Sequence, residues 1–148
     1  GPVWRQLTVI SCYLGSIYIA YTFLKYMHVK FLPDPYMGKI FQDLETWVGF
    51  DWVNPYFRFF TGGVEAVASL LLFIPGFQLA GAFVTLGTLV VALLLHVPGP
   101  IGIEGARGAL ALEAVICVLL ASWIVYVRRG EVMELVRFTF TDRTWTRK

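Results

Sequence analysis

Four long apolar stretches, each cut off by a proline–glycine or charged breaker, are the feature that most limits what this chain can become. They run from about Leu7 to Tyr26, Phe59 to Ile74, Leu79 to Val97 and Gly108 to Val127. A hydrocarbon core about 30 Å thick takes roughly 20 apolar residues of helix, so four such stretches with their links use up nearly the whole 148-residue chain. A hydrophobic share of 57% and a charged share of 15% agree with lipid as the solvent, as does a mean hydropathy of +0.68. The expected fold class is all-α: an integral membrane four-helix antiparallel bundle. Residues 3–130 would form the transmembrane domain and 131–148 a basic cytoplasmic tail. Gly1 and Pro2 stand where an initiator Met would and look like a remnant of tag removal, and no cleavable signal peptide is visible.

The links set the topology. Pro75-Gly76 makes a tight turn between the second and third spans, and Pro98-Gly99-Pro100 ends the third. Four spans put both termini on one side, with Arg5, Arg128, Arg129, Arg137, Arg143, Arg147 and Lys148, seven of the 12 lysines and arginines. The positive-inside rule then places both termini in the cytoplasm. In the long connection from His28 to Tyr56, the residues Met37, Ile40, Phe41, Leu44 and Trp47 recur at helical spacing opposite Lys39, Gln42, Asp43 and Glu45. This predicts a short interfacial helix in the first extracytoplasmic loop, with Trp47, Trp52, Tyr56 and Phe57 as an aromatic belt. From Arg137 onward the tail alternates polar and aromatic residues without filling a further span, which suits either contact with anionic headgroups or disorder.

Each span carries a narrow face of small or polar residues, which belongs inside the bundle. These faces are Ser11, Gly15, Tyr18, Thr22 and Lys25; Arg58, Gly62, Glu65, Ala66 and Ser69; Gly81, Thr85, Thr88, Ala92 and His96; and Gly105, Ala109, Glu113 and Cys117. Packing alone accounts for most members, but an ionisable residue within a span costs about 2.5–3.5 kcal/mol at the helix centre on insertion scales and is seldom kept without a partner or a role. Glu65 lies about two turns inside its span and Glu113 between one and two turns inside its own. Lys25, Arg58, His96, Glu104 and Arg107 reach the same half of the membrane. The expected pairings are Lys25 or Arg58 with Glu65, and His96 or Arg107 with Glu113. Such a cluster suits structural ion pairs, a quinone or other small-ligand site, or proton movement. His28 lies just beyond the first span and reads as a solvated loop residue.

Other chemistries lack their signatures. Cys12 and Cys117 sit in different spans with no CxxC and no histidine cluster, so two free thiols and no metal site are expected. The net charge of +2 and the absence of a basic run interleaved with aromatics argue against nucleic acid.

The run Phe59-Phe60-Thr61-Gly62-Gly63-Val64-Glu65, followed by Leu70-Leu71-Leu72, Pro75-Gly76, an apolar third helix and His96, resembles the DoxX family of four-helix membrane proteins. The first helix carries the matching Phe23-Leu24-Lys25, and Gly62 to Glu65 supplies a Gly-x-x-Glu motif. The resemblance covers about Leu7 to Val127. It implies a membrane subunit that binds quinone, as in the small subunit of thiosulfate:quinone oxidoreductase, and that supports redox with a membrane or extracytoplasmic partner protein. No cofactor would be covalently bound. Glu65 and His96 would be the proton-handling, catalytic pair, since two protons must accompany two electrons in quinone chemistry. Lys25, Arg58, Glu113, Arg107 and Trp52 would hold the ligand. Distant eukaryotic relatives act as membrane chaperones or cargo receptors, so a non-catalytic assembly or scaffold protein is the rival expectation. An isomerase that protonates a lipid-soluble substrate is a weaker third. The small-residue stripes also leave room for a homo-oligomer.

Overall fold

A computed structural model describes residues 2–32 and 34–141. The described residues are all-α: α1 (Pro2–Phe31), α2 (Pro35–Val48), α3 (Arg58–Leu71), α4 (Gln78–His96), α5 (Ala106–Val127) and α6 (Arg129–Thr141). Between α2 and α3, Val53–Phe57 forms a wide π-helical turn interrupted at Asn54, whose backbone is extended. Residues 142–148, including the expected tail cations Arg143, Arg147 and Lys148, lie outside the described residues.

Three helices, α1, α4 and α5, are long and apolar enough to cross a membrane. The expected second span, Phe59–Ile74, becomes the 14-residue α3, about 21 Å long at 1.5 Å per residue. At its end the chain turns through Leu72–Phe77, as Pro75 and Gly76 require, with Gly76 at φ +86°. The first span is longer than expected and continues without a break past Tyr26 to Phe31.

The helices pack in a ring: α1 against α3 and α5, and α4 against α3 and α5. Neighbours run antiparallel, because the end of α1 meets α3 at Gly62 and Glu65 and the first half of α5 at Glu113, while the start of α4 meets the end of α5. The core is built of small residues, among them Ala68, Ala82, Ala114, Cys117 and Ala121, with Ile19, Phe23, Leu72 and Ile124 filling between them. Small side chains let helix backbones approach where lipid offers no hydrophobic drive for helices to associate. Hydroxyls inside this core return to their own helices. Ser16, Thr22, Ser69 and Thr85 each donate to the carbonyl four residues back, so none of these four hydroxyls faces hydrocarbon alone.

The polar stripes expected on α1, α3 and α4 are largely buried, including Gly15, Thr22, Gly62, Glu65, Ser69, Gly81, Thr85 and His96. On α5 the stripe is different: Gly105 and Ala109 are exposed, and the buried face is Ala111, Ala114, Cys117, Ala121 and Ile124. Where the chain enters α1 and leaves α5, a polar network ties the helices. Arg128 Nε donates to Gln78 Oε1 at 2.6 Å, Gln78 Nε2 donates to Ser16 Oγ at 3.1 Å, and Trp123 Nε1 donates to Ser11 Oγ at 2.8 Å.

Helix α4 passes close to the end of α3 at Gly81, where a Cβ would sit 2.8 Å from Leu72 N. Gly87, on the same helix, has open space. Gly81→Ala should therefore lower thermal stability by about 1–3 kcal/mol through forced helix separation. Gly87→Ala should be neutral or slightly stabilising, since alanine is the better helix former by roughly 1 kcal/mol. Equal melting temperatures for the two variants would contradict this packing.

Candidate functional site

The extra length of α1 decides the site. Phe23, Tyr26 and Lys30 follow one another at helical spacing and line one cavity. Lys30 Nζ donates to Glu65 Oε1 across the α1–α3 contact, with side chains only 11% and 7% exposed. Glu65 thus pairs with Lys30, which lies beyond the expected end of the first span, and not with Lys25 or Arg58. Lys25 donates instead to Glu113 Oε1 at 2.8 Å, joining α1 to α5. Arg58 points its Nη1 to the Leu32 carbonyl at 3.4 Å and its guanidinium over the Phe59 ring.

Helix α2 covers this end of the ring. Asp34 caps it through its carboxylate, which accepts from the Met37 N–H at 2.8 Å, Pro35 opens its first turn, and Gly49 closes it at φ +89°. Its expected apolar face is buried against the bundle: Met37, Ile40, Phe41 and Leu44 pack with Val53 and Ile101, and with Tyr26, Phe57, Leu95 and Leu110 around them. Trp47 departs from that face and is exposed. Arg107 latches the helix, donating to Asp43 Oδ2 at 2.8 Å and to the Ile101 carbonyl at 3.0 Å. The Arg107 hydrogen bond holds the Asp43 carboxyl below the usual carboxylate range. Arg107 therefore serves α2 and not Glu113.

Beneath α2 lies a cavity of about 130 Å³. Its walls are mainly apolar, with Phe23, Tyr26, Phe41, Phe57, Leu89 and Leu95 among them, and Lys30, Glu65 and His96 supply the ionisable groups. A roughly 150 Å³ apolar cavity takes a benzene-sized ring, so this one is on the scale of a single ring. His96 is 4% exposed; its Nδ1 lies 2.9 Å from the Ala92 carbonyl, and its Nε2 is buried without a hydrogen-bond partner.

Of the residues singled out from sequence, Glu65 and His96 line the cavity together. Lys25, Glu113, Arg58 and Arg107 stand around it in contacts of their own. Trp52 is half exposed and does not line the cavity; it stacks with Phe50 and meets the wall residue Phe57 edge-on. Lys30 and the apolar face of α2 complete the site. Lys30 was legible only in its spacing from Phe23 and Tyr26. Cys12 and Cys117 are buried and free, and His28 is exposed, its Nδ1 3.0 Å from the Leu24 carbonyl.

Removing one member of a buried pair leaves an uncompensated charge, at a cost of about 3–5 kcal/mol. Glu65→Gln and Lys30→Met should each lower thermal stability on that scale. The double variant Lys30→Met/Glu65→Gln should recover a large part of it. Additive losses in this double-mutant cycle would show that the two residues do not act as a pair.

No family model, curated protein or solved structure matches this chain. The resemblance to the DoxX family therefore rests on the motifs quoted above.

Proposed function

We propose that the chain is a DoxX-like subunit of the bacterial cytoplasmic membrane that binds a quinone or a similar ring-headed amphiphile beneath α2 and supports redox with a partner protein. The observation that carries this reading is the conjunction in one ring-sized apolar cavity of a buried Lys30–Glu65 pair and a buried, unpartnered His96 nitrogen. Ligand sites combine apolar walls with a few placed polar groups in this way. Quinone chemistry needs proton donors and acceptors beside an apolar ring slot, and Glu65 and His96 are the groups that would exchange protons with the ligand. Electrons would come from the partner, because the chain carries no redox group of its own in this reading.

In the membrane arrangement that goes with it, α1, α3, α4 and α5 all cross and both termini are cytoplasmic. Helix α3 is short for a span, but Phe73 and Ile74 extend its apolar length at one end. At the other, the Val53–Phe57 turn carries irregular backbone, tolerable at membrane depth where protein covers it, as α2 does here. Glu104 and Glu134 are both exposed. Single cysteines introduced there, in a Cys12→Ser/Cys117→Ser background, should react with impermeant reagent from opposite faces of the membrane, Glu104→Cys from outside. Reaction of both from one face would end this topology.

The scaffold alternative calls for a free stripe of small residues on an outward face. The outward faces of α4 and α5 carry Phe83, Val90, Leu94, Leu112 and Leu119, large side chains suited to lipid, with Gly87 and Ala109 exposed among them. Solvent extraction of the purified protein followed by mass spectrometry should return a quinone or related ring amphiphile in near-stoichiometric amount, reduced in the Glu65→Gln variant. Extracts holding bulk phospholipid alone, from protein kept in native membrane discs, would favour the scaffold.

A further inference from the structure

Helix α6 stands apart from the ring. One residue, Arg128, separates it from α5, and that residue leaves the helical conformation at φ −96°, ψ 20°. The helix is therefore interrupted where the apolar length of α5 ends. Among the described residues α5 is the principal neighbour of α6, and every residue from Met133 to Phe138 is exposed.

Its apolar side chains nevertheless share a face. On a helix turning about 100° per residue, Val132, Met133, Leu135 and Val136 fall within an arc of about 160°. Glu131, Glu134 and Arg137 fall outside it, together with Phe138. A face of that width is what a helix normally buries, yet the ring leaves Met133 and Val136 60% and 44% exposed.

The place of α6 fixes what lies beside that face. Helix α5 is long and apolar enough to cross a membrane, and Trp123 stacks on Tyr126 near its end, where interfacial aromatics belong. A helix starting at Arg129 therefore begins at the level of the headgroups. Charge is arranged to match. Arg129 holds to the end of α5, its guanidinium 4.3 Å from the centre of the Tyr126 ring and its Nη1 donating to the Tyr126 carbonyl at 2.8 Å. Arg137 borders the apolar arc about 40° beyond Met133. Glu131 borders the other edge but is already paired with Arg128 at 2.9 Å, and Glu134 lies on the side opposite the arc.

We infer that α6 lies along an anionic membrane surface, with Val132, Met133, Leu135 and Val136 among the acyl chains and Arg137 against headgroup phosphates. Attraction between a bordering cation and anionic lipid adds to the burial of an apolar face, so together they hold an interfacial helix. Glu134 is then left in water. This contact is independent of what the cavity beneath α2 binds.

Spin labels on the full chain in nanodiscs test it. In a Cys12→Ser/Cys117→Ser background, one nitroxide at a time is attached at Met133→Cys, Val136→Cys, Glu134→Cys or Phe138→Cys. Oxygen concentrates among acyl chains and a nickel chelate in water, so the ratio of the two accessibilities reports what each label meets. In discs containing phosphatidylglycerol the ratio at Met133→Cys and Val136→Cys should exceed that at Glu134→Cys and Phe138→Cys severalfold. It should fall severalfold at the two apolar positions in phosphatidylcholine alone, and in anionic discs with Arg137→Gln added. Labels that all meet water overturn the inference. Labels at Met133→Cys and Val136→Cys screened from both reagents overturn it too, because a second chain then covers the face. A contrast equally strong in phosphatidylcholine overturns the anionic preference and the role given to Arg137. Amide hydrogen exchange of the unlabelled protein reads the same contact without a variant: it should slow severalfold across α6 in anionic discs, and equal exchange in the two lipids overturns the inference.

Discussion

A lysine facing a glutamate across a buried helix contact is the interaction on which the rest of this architecture turns. Neither Lys30 nor Glu65 could be held charged in an apolar interior alone, and together they oblige α1 to stay helical for a full turn past Tyr26. That turn fixes the register of α1 against α3. It also sets where the chain must reverse into α2, so the apolar face of α2 arrives over the ring of helices and closes a cavity that would otherwise be a funnel. The Lys25–Glu113 pair does the same between α1 and α5. One helix is thus pinned on both sides by charges at levels five residues apart.

The two ends of the ring spend their polar groups differently. Where α1 begins and α5 finishes, Gln78 is 2% exposed yet both ends of its amide are bonded, to Arg128 and to Ser16, and Arg128 continues to Glu131. This is a closed set of bonds of the kind that specifies one arrangement of helices. Under α2 the set stays open, because His96 Nε2 is buried among apolar side chains with nothing to accept from. Native interiors seldom leave such an atom unmatched, and where they do a functional cause is the first to consider. The contrast is between a closed polar end and an open one, and the open end is where the proposed ligand site lies.

Much of this was written plainly in the sequence. The apolar stretches and their proline–glycine breakers located α4 and α5 to within two residues, and the Met37–Leu44 spacing located α2 and its buried face. Depth and the Gly-x-x-Glu spacing picked out Glu65, and its place at the end of a polar stripe picked out His96. The pairings were beyond reach for a definite reason. Hydropathy marks where apolar residues stop, whereas a helix stops where its hydrogen bonds stop, and α1 runs on because the Lys25 and Lys30 tips find partners in neighbouring helices while His28 turns back to the Leu24 carbonyl. The same limit misassigned the α5 stripe. Gly105 and Ala109 share a helical face with Glu113, but the rotation of α5 is set by Ala111, Ala114 and Cys117 meeting their neighbours, a contact that composition does not report.

The cover that α2 makes bears on how a ligand would enter. From the aqueous side the cavity is roofed by Met37, Ile40, Phe41 and Leu44, with Arg107 tying the roof to the start of α5 through Asp43. Opening that roof would expose four buried apolar side chains to water, each costing about 1.5–3 kcal/mol if fully exposed. Toward the membrane the boundary is thinner: Gly108 and Ala111 leave a groove in which His96 alone is common to the outer and inner hollows. A lateral path spares the roof and never brings the ligand's apolar parts into water. For a ligand of the proposed kind, this geometry suits arrival from the bilayer better than delivery from solution, in keeping with the ring-sized, mainly apolar interior.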